Sequence, residues 1–242
     1  MTESVRLAKR VAELRRCSRR EAELLITGGW VRVDGAMIEE PQFRVTDQRV
    51  EIDPRAEPGQ AEPVTLLLHK PSGYHTDDEA AGKAASGLLA AASLWAEDSS
   101  GIRPLKKHFA HLSLCVPLEA DAAGLVVFTQ DWRVARKLTE DAATLEHEVI
   151  VEVAGEMPPG GLERLNRGLP FEGRTPPAIK VSWQSEDRLR VALKGARPGE
   201  IAHLCEAAGL RVLSIKRIRL GRVPLGKLPP GQWRYLRRDE RF

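Results

Sequence analysis

Glu119 and Asp121 are two carboxylates at a place where chemistry could be housed. They lie in Pro117-Leu118-Glu119-Ala120-Asp121-Ala122-Ala123, a polar turn that runs through Gly124 into the apolar Leu125-Val126-Val127-Phe128. Thr129, Gln130 and Asp131 close the stretch. The pattern predicts a loop feeding a buried strand, followed by a helix start. Acids at the mouth of a buried strand can act as nucleophile or as general acid and base. They are equally at home as solvated turn residues. Spacing alone leaves both readings open.

The basic residues offer a second kind of chemistry. Between Arg6 and Arg20 stand Arg6, Lys9, Arg10, Arg15, Arg16, Arg19 and Arg20, against Glu13 as the one acid. From Arg211 onward ten basic residues face Asp239 and Glu240. The net charge is only +3, so the clustering carries the signal. Such footprints suit a polyanion, although a solvated charged face has the same composition.

The remaining composition excludes other classes. A chain of 242 residues with 42% hydrophobic and 29% charged residues is long enough for two modest soluble domains. No apolar run reaches the roughly 18 residues that cross a bilayer, and no apolar signal core precedes the first helix. Cys17, Cys115 and Cys205 are far apart and fit neither a metal spacing nor a disulfide framework. The expectations are no metal, no membrane and a reducing cytoplasm.

The elements that would position these groups follow in order. Val5 to Leu14 has a helical period. Ser18-Arg19-Arg20-Glu21 is a capping box opening a second helix, with Ala22, Leu25 and Ile26 inward and Gly28-Gly29 at its end. Asp34-Gly35 predicts a hairpin turn between Val31-Val33 and Met37-Ile38. Val50 to Ile52 is a short strand. Pro54 to Pro63 reads as a semi-extended linker. Strands are then expected at Val64–His69, Val149–Val153, Leu169–Gly173, Ala178–Trp183, Leu189–Leu193 and Val212–Leu220. Helices are expected near Ala84–Trp95, at Trp132–Thr139 with Trp132, Ala135 and Leu138 inward, and from Ile201 to Ala208.

Residues 5–53 resemble the S4-type RNA-binding domain. Arg6-Leu7, Ser18-Arg19-Arg20-Glu21-Ala22-Glu23-Leu24-Leu25-Ile26, Gly28-Gly29 and Val31-Arg32-Val33-Asp34-Gly35 stand in the family's order. The resemblance implies that Arg6, Lys9, Arg10, Ser18, Arg19, Arg20 and Arg32 meet structured RNA, where arginines pair with phosphates and read shape.

The rest resembles the RsuA/RluB/RluF type of RNA pseudouridine synthase. Leu68-His69-Lys70-Pro71-Ser72-Gly73 is similar to the family's L-x-K-P-x-G opening. Gly168 to Ala178, Lys216-Arg217-Ile218-Arg219-Leu220-Gly221 and Leu228-Pro229-Pro230-Gly231-Gln232-Trp233-Arg234 continue the match. The family implies a cofactor-free reaction in which a flipped uridine is cleaved at its glycosidic bond and rejoined through carbon. It also implies a catalytic Asp, a Tyr packed on the base and a basic residue, usually Arg, paired with the Asp.

This sequence departs at all three positions. The family's G-R-L-D-x-D-[ST]-x-G-L places its catalytic Asp at Glu119, its Arg at Pro117 and its Gly at Val116. Asp121 falls on a second, non-catalytic acid. The tyrosine of K-x-Y-x-V becomes Val149. In E-G-[KR]-x-R-Q-I-R-R-M the central basic positions become Gly199, Ala202 and His203, while Arg197 keeps its charge. Glu for Asp moves the carboxylate by about 1 Å, which can cost on the order of 100-fold in rate. Val149 offers no ring face. A partly buried Glu119 without its arginine would be less favoured in its charged form.

The expectation is an α+β protein. An S4-type RNA-binding domain (1–54) and a linker (55–63) precede a pseudouridine-synthase-like domain (64–242) with a mainly antiparallel sheet flanked by helices. Its expected function is binding of structured RNA, most naturally ribosomal RNA, as a monomer without cofactor and with lost or reduced catalysis. The substrate-pocket positions are Val149, Arg197 and Asp121, and Glu119 takes the catalytic place. Three alternatives stand beside it: an active synthase using Glu119, a slipped register that makes Asp121 the nucleophile, and a scaffold that binds protein.

Overall fold

The computed structural model describes residues 4–59, 62–77, 81–173 and 179–242. They form two compact units: residues 1–63 with 103–111, and residues 64–102 with 112–242.

The first unit grows from two short helices. Strand β1 (Val5–Arg6) leads into α1 (Leu7–Arg15), and α2 follows (Arg19–Thr27). The capping box forms as its spacing requires: Ser18 Oγ accepts from the Glu21 N–H, and Glu21 accepts from the Ser18 N–H at 2.7 Å. Leu7, Val11, Ala22, Leu25 and Ile26 are buried between the helices and a small sheet. That sheet holds β2 (Val31–Val33), β3 (Ala36–Met37) and β5 (Val50–Ile52), with β4 (Arg44–Val45) paired separately to β1. Asp34 and Gly35 both take positive φ, +50° and +82°, as the two-residue hairpin turn demands.

Two features here differ from the sequence reading. The segment 103–111, expected within the second domain, packs with the first unit. Arg103 Nη2 donates to the Gly29 carbonyl at 2.5 Å, and the Lys106 N–H donates to Glu39 at 2.8 Å. The expected linker is also not free at its start. Ala56 is buried, and its carbonyl accepts from Arg15 Nη2 at 3.2 Å.

The second unit is built on a nine-stranded sheet. In chain order its elements are β6 (Thr65–Lys70), β7 (Tyr74–His75), β8 (Lys83–Ala84), β9 (Ser113–Cys115), β10 (Ala123–Thr129), α3 (Trp132–Glu140), β11 (Glu146–Ala154), α4 (Gly161–Asn166), β12 (Lys180–Trp183), β13 (Arg188–Lys194), α5 (Glu200–Ala207), β14 (Arg211–Leu220), β15 (Val223–Pro224) and β16 (Trp233–Tyr235). The sheet runs β12-β13-β11-β14-β10-β6-β16, with β15 on β14 and β9 on β10. Its pairings are antiparallel except β10 with β14. This is the mainly antiparallel α+β architecture expected. The apolar run 125–128 is a central strand buried on both faces, which explains its lack of alternation.

Several local expectations fail for identifiable reasons. Residues 84–95 form no α-helix. Gly87, Ser86 and Ser93 interrupt the alanines, the chain makes two short 3₁₀ turns, and Trp95 N–H then donates to the Trp233 carbonyl at 2.8 Å. Trp132 is 65% exposed rather than inward. It occupies the first turn of α3, with the Arg133 guanidinium over its ring, while Leu138 carries the buried face. Residues 169–173 make a turn with one isolated bridge position rather than a strand, and the helix α4 before them was not anticipated. Residues 174–178, including the start of the strand expected from Ala178, lie outside the described residues.

One glycine fixes the central crossover. Gly124 has φ +118°, and a Cβ there would lie 2.2 Å from the Arg217 carbonyl oxygen of parallel β14. Gly226 also has positive φ (+61°) but faces open space. Alanine at Gly226 should therefore cost about 1 kcal/mol from backbone conformation alone. Alanine at Gly124 must push two central strands apart and should lower the thermal midpoint of the second unit far more. Equal midpoints for the two variants would contradict this packing.

Candidate functional site

The loop bearing Glu119 is held from three directions. The first is the turn after β6. Lys70 is fully buried and donates from Nζ to the carbonyls of Pro71 (3.2 Å), Tyr74 (2.5 Å) and Ala120 (3.1 Å). The Gly73 N–H donates to the Ala120 carbonyl at 2.7 Å, Ser72 Oγ to the Asp121 carbonyl at 2.8 Å and Thr76 Oγ1 to the Leu118 carbonyl at 3.1 Å. Pro71 and Gly73 shape this turn, so the L-x-K-P-x-G stretch serves as a cradle for loop 118–121. Burial lowers the Lys70 ammonium to about 8, opposed by the charges of Asp121 and Glu119.

The second is Arg217 on β14. It is 2% exposed, and it donates from Nε to the Leu125 carbonyl at 2.7 Å, from Nη2 to Val116 at 2.7 Å and from Nη1 to Pro117 at 3.3 Å. One guanidinium therefore spans both ends of the loop. Burial lowers its pKa to about 10, and the charge of Glu119 works against that shift. Arg217 thus stays a cation at neutral pH. Val116 sits at φ +55°, a conformation unusual for a β-branched residue. Its side chain packs on the core that includes Leu125 and Leu220, and its carbonyl is one that Arg217 holds.

The third is the N-terminal end of α5. Glu119 is exposed, and its Oε1 accepts from the Gly199 N–H at 3.0 Å. Gly199 has φ +76°, with the Phe171 ring 3.7 Å from where a Cβ would stand. The Phe171 and His203 rings meet at 5.3 Å between centroids, tilted by 45°. Glu200 reaches back to the Arg197 N–H at 2.9 Å.

These contacts place each expected residue. Glu119 is exposed rather than partly buried, and its charge acts on a buried cation, Arg217, from a strand whose alternation marked only a cationic face. Asp121 is exposed, and its charge acts on Lys70. Val149 is 2% exposed and opposes Arg217 across β11–β14, beside a register shift at Glu148/Val149. It belongs to the core with Val151 and Leu189 and presents no aromatic face. Arg197 is exposed and pairs with Glu172 at 3.5 Å, and no ion pair joins it to Glu119 among the described residues.

In the first unit, Arg6, Lys9, Ser18, Arg19, Arg20 and Arg32 are exposed, and Arg10 is half-buried. The Ser18 hydroxyl is engaged in the cap. Arg19 pairs with Glu23 at 3.1 Å, and Arg32 donates to the Gly35 carbonyl at 2.9 Å. No group of three or more His, Cys, Asp or Glu side chains suited to a metal occurs among the described residues. No described helix is long and apolar enough to cross a membrane.

Comparisons with known proteins agree with this geometry. The S4 domain family matches residues 5–50. An uncharacterized RNA pseudouridine synthase of Mycobacterium tuberculosis is 31% identical over 245 residues, covering 98% of this chain and 91% of the relative. One of Aquifex aeolicus is 28% identical over 240 residues, covering 98% and 94%. The dual-specificity RNA pseudouridine synthase RluF of Salmonella typhi is 26% identical over 242 residues, covering 98% and 77%. Among solved structures, a pseudouridylate synthase superposes with a TM-score of 0.61 at 18% identity over 96% of each chain, a likeness of fold.

His147 links this site to acid stability. It is 5% exposed, and burial and then the charge of Arg217 lower its pKa to about 3. The folded pKa is depressed, so between pH 6.5 and 3 the unfolded chain takes a proton that the folded chain refuses. Stability falls across that window by up to about 1.4 kcal/mol per pH unit. Denaturant midpoints measured at pH 7 and pH 4.5 should therefore converge in His147→Gln relative to the parent. An unchanged difference would remove His147 as the cause.

Proposed function

We propose that this chain, which belongs to the RNA pseudouridine synthase family, binds structured ribosomal RNA through its S4 domain and has lost or strongly reduced isomerase activity. The observation that carries this reading is the state of the family's three catalytic positions. The carboxylate at the Asp position is one methylene longer and rests on the Gly199 N–H. The Tyr position is a core valine, and the central basic positions of the third motif are Gly199, Ala202 and His203. The scaffold around them, from the Lys70 cradle to Gly124, is intact. Retained fold with altered reactive groups supports RNA recognition outliving chemistry. The protein acts as a monomer without a cofactor in a reducing cytoplasm. Its three unbridged cysteines support that compartment.

A second reading has one observation in its favour. Arg217 is a buried cation on which Glu119 acts. It could substitute for the missing arginine partner and leave a slow synthase built on Glu119.

One experiment separates the two. Purified protein is incubated with ribosomal RNA from cells lacking related synthases, and pseudouridine is mapped. The expected outcome is no stoichiometric product. Site-specific stoichiometric product that disappears in Glu119→Gln would overturn the favoured reading.

RNA binding has its own test. Arg19→Glu/Arg20→Glu should weaken binding to structured ribosomal RNA and make the slope of log K against log salt shallower by about two. Unchanged affinity with a flat salt dependence would favour the protein-binding scaffold.

A further inference from the structure

A cleft of about 540 Å³ opens in the first unit between α1, the start of α2 and the β1–β4 pair. Its floor includes Val5 and Cys17, both half-buried against the core of that unit. Arg6, Lys9, Arg19 and Arg44 line it, with Glu13 as the one carboxylate. The volume suits a single small ligand, and an excess of cations over an apolar floor suits one that is anionic at one end and flat at the other. Two of the cations are already oriented: Arg19 by Glu23 and Arg44 by the Ser4 carbonyl at 3.2 Å. Arg6 and Lys9, one helical turn apart, have no side-chain partner among the described residues. Neither has Glu13, although four cations share its cleft.

We propose that this cleft receives one unstacked guanosine nucleotide of single-stranded RNA. Its phosphate lies among the cations, its base lies over Val5 and Cys17, and its Watson–Crick edge meets Glu13. The choice of base follows from Glu13. An ionised carboxylate only accepts hydrogen bonds. Guanine presents two parallel donors, N1–H and N2–H, which match two carboxylate oxygens. Uracil presents one donor between two carbonyls, and those carbonyls repel the carboxylate. Single-stranded RNA is commonly read this way, with a splayed base recognised on its pairing edge. The inference rests on RNA being the partner of the first unit and adds a sequence preference that phosphate contacts cannot give.

Full-length protein and two short oligoribonucleotides test it. The sequence r(UUGGUU) should bind about tenfold or more tightly than r(UUUUUU), the discrimination expected of one bidentate pair, and Glu13→Gln should abolish that preference. Cys17 gives an independent readout, because Cys115 and Cys205 are buried at 1% and 2% exposure. The guanine-containing oligonucleotide should slow alkylation of Cys17, and the uridine oligonucleotide should not.

Equal affinity for the two sequences overturns the proposal, as does a Glu13→Gln variant that tightens both equally. In the second case the cleft is an electrostatic contact alone. Parallel titration of the parent protein with structured ribosomal RNA separates the failures. Strong binding there without guanine preference removes the cleft and leaves the broader reading standing. Guanine preference without structured-RNA binding supports the cleft and removes the broader reading.

Discussion

The guanidinium of Arg217 sits inside the second unit and holds backbone carbonyls at residues 116, 117 and 125. Burying a cation is costly unless hydrogen bonds and a counter-charge offset the lost hydration. Both offsets are supplied by the 116–125 loop: three carbonyl oxygens accept from the guanidinium, and the Glu119 carboxylate favours its charged form. Because the same atoms close both ends of the loop, the conformation of the candidate site is tied to the integrity of one β14 side chain. Around it the sequence is constrained in turn. Gly124 must lack a side chain where its strand meets Arg217, and Val149 stands opposite Arg217 on β11.

This arrangement makes the shape of the loop independent of the side chains it presents. Its geometry is set by Lys70, Ser72, Gly73, Thr76 and Arg217, which bond mostly to backbone oxygens. Backbone contacts are indifferent to which side chains the loop presents. Glu119 and Pro117 can therefore stand on this loop without disturbing its backbone contacts. The neighbouring positions fall under a different rule. Val149 is packed into the core with Val151 and Leu189, where burial of its apolar side chain supports the fold whatever the chemistry of the cleft.

Much of this was legible in the sequence where the signal was local. The Ser18 capping box, the Asp34-Gly35 turn and the unbroken apolar run at 125–128 each follow from neighbours along the chain. Glu119 lies on the loop before β10, as the polar turn ahead of the apolar run predicts. What escaped was long-range. Arg217 is about a hundred residues from the carbonyls it holds, and in sequence it is one of several basic residues in an alternating strand. The packing of 103–111 with the first unit depends on Gly29 and Glu39, which no periodicity connects to it. The alanine-rich 84–95 stretch lost its helix to interrupting glycine and serine and to pairing with β16, a tertiary contact that outweighs propensity.

The most direct measurement is amide hydrogen exchange in Arg217→Lys. Lysine keeps the charge but cannot span carbonyls at both ends of the loop. If Arg217 is the clamp, amides of residues 118–127 lose protection in the variant while those of β13 and the first unit keep theirs. Parent-like protection across 118–127, in a variant that remains folded, would contradict the clamp and with it the link between Arg217 and Glu119.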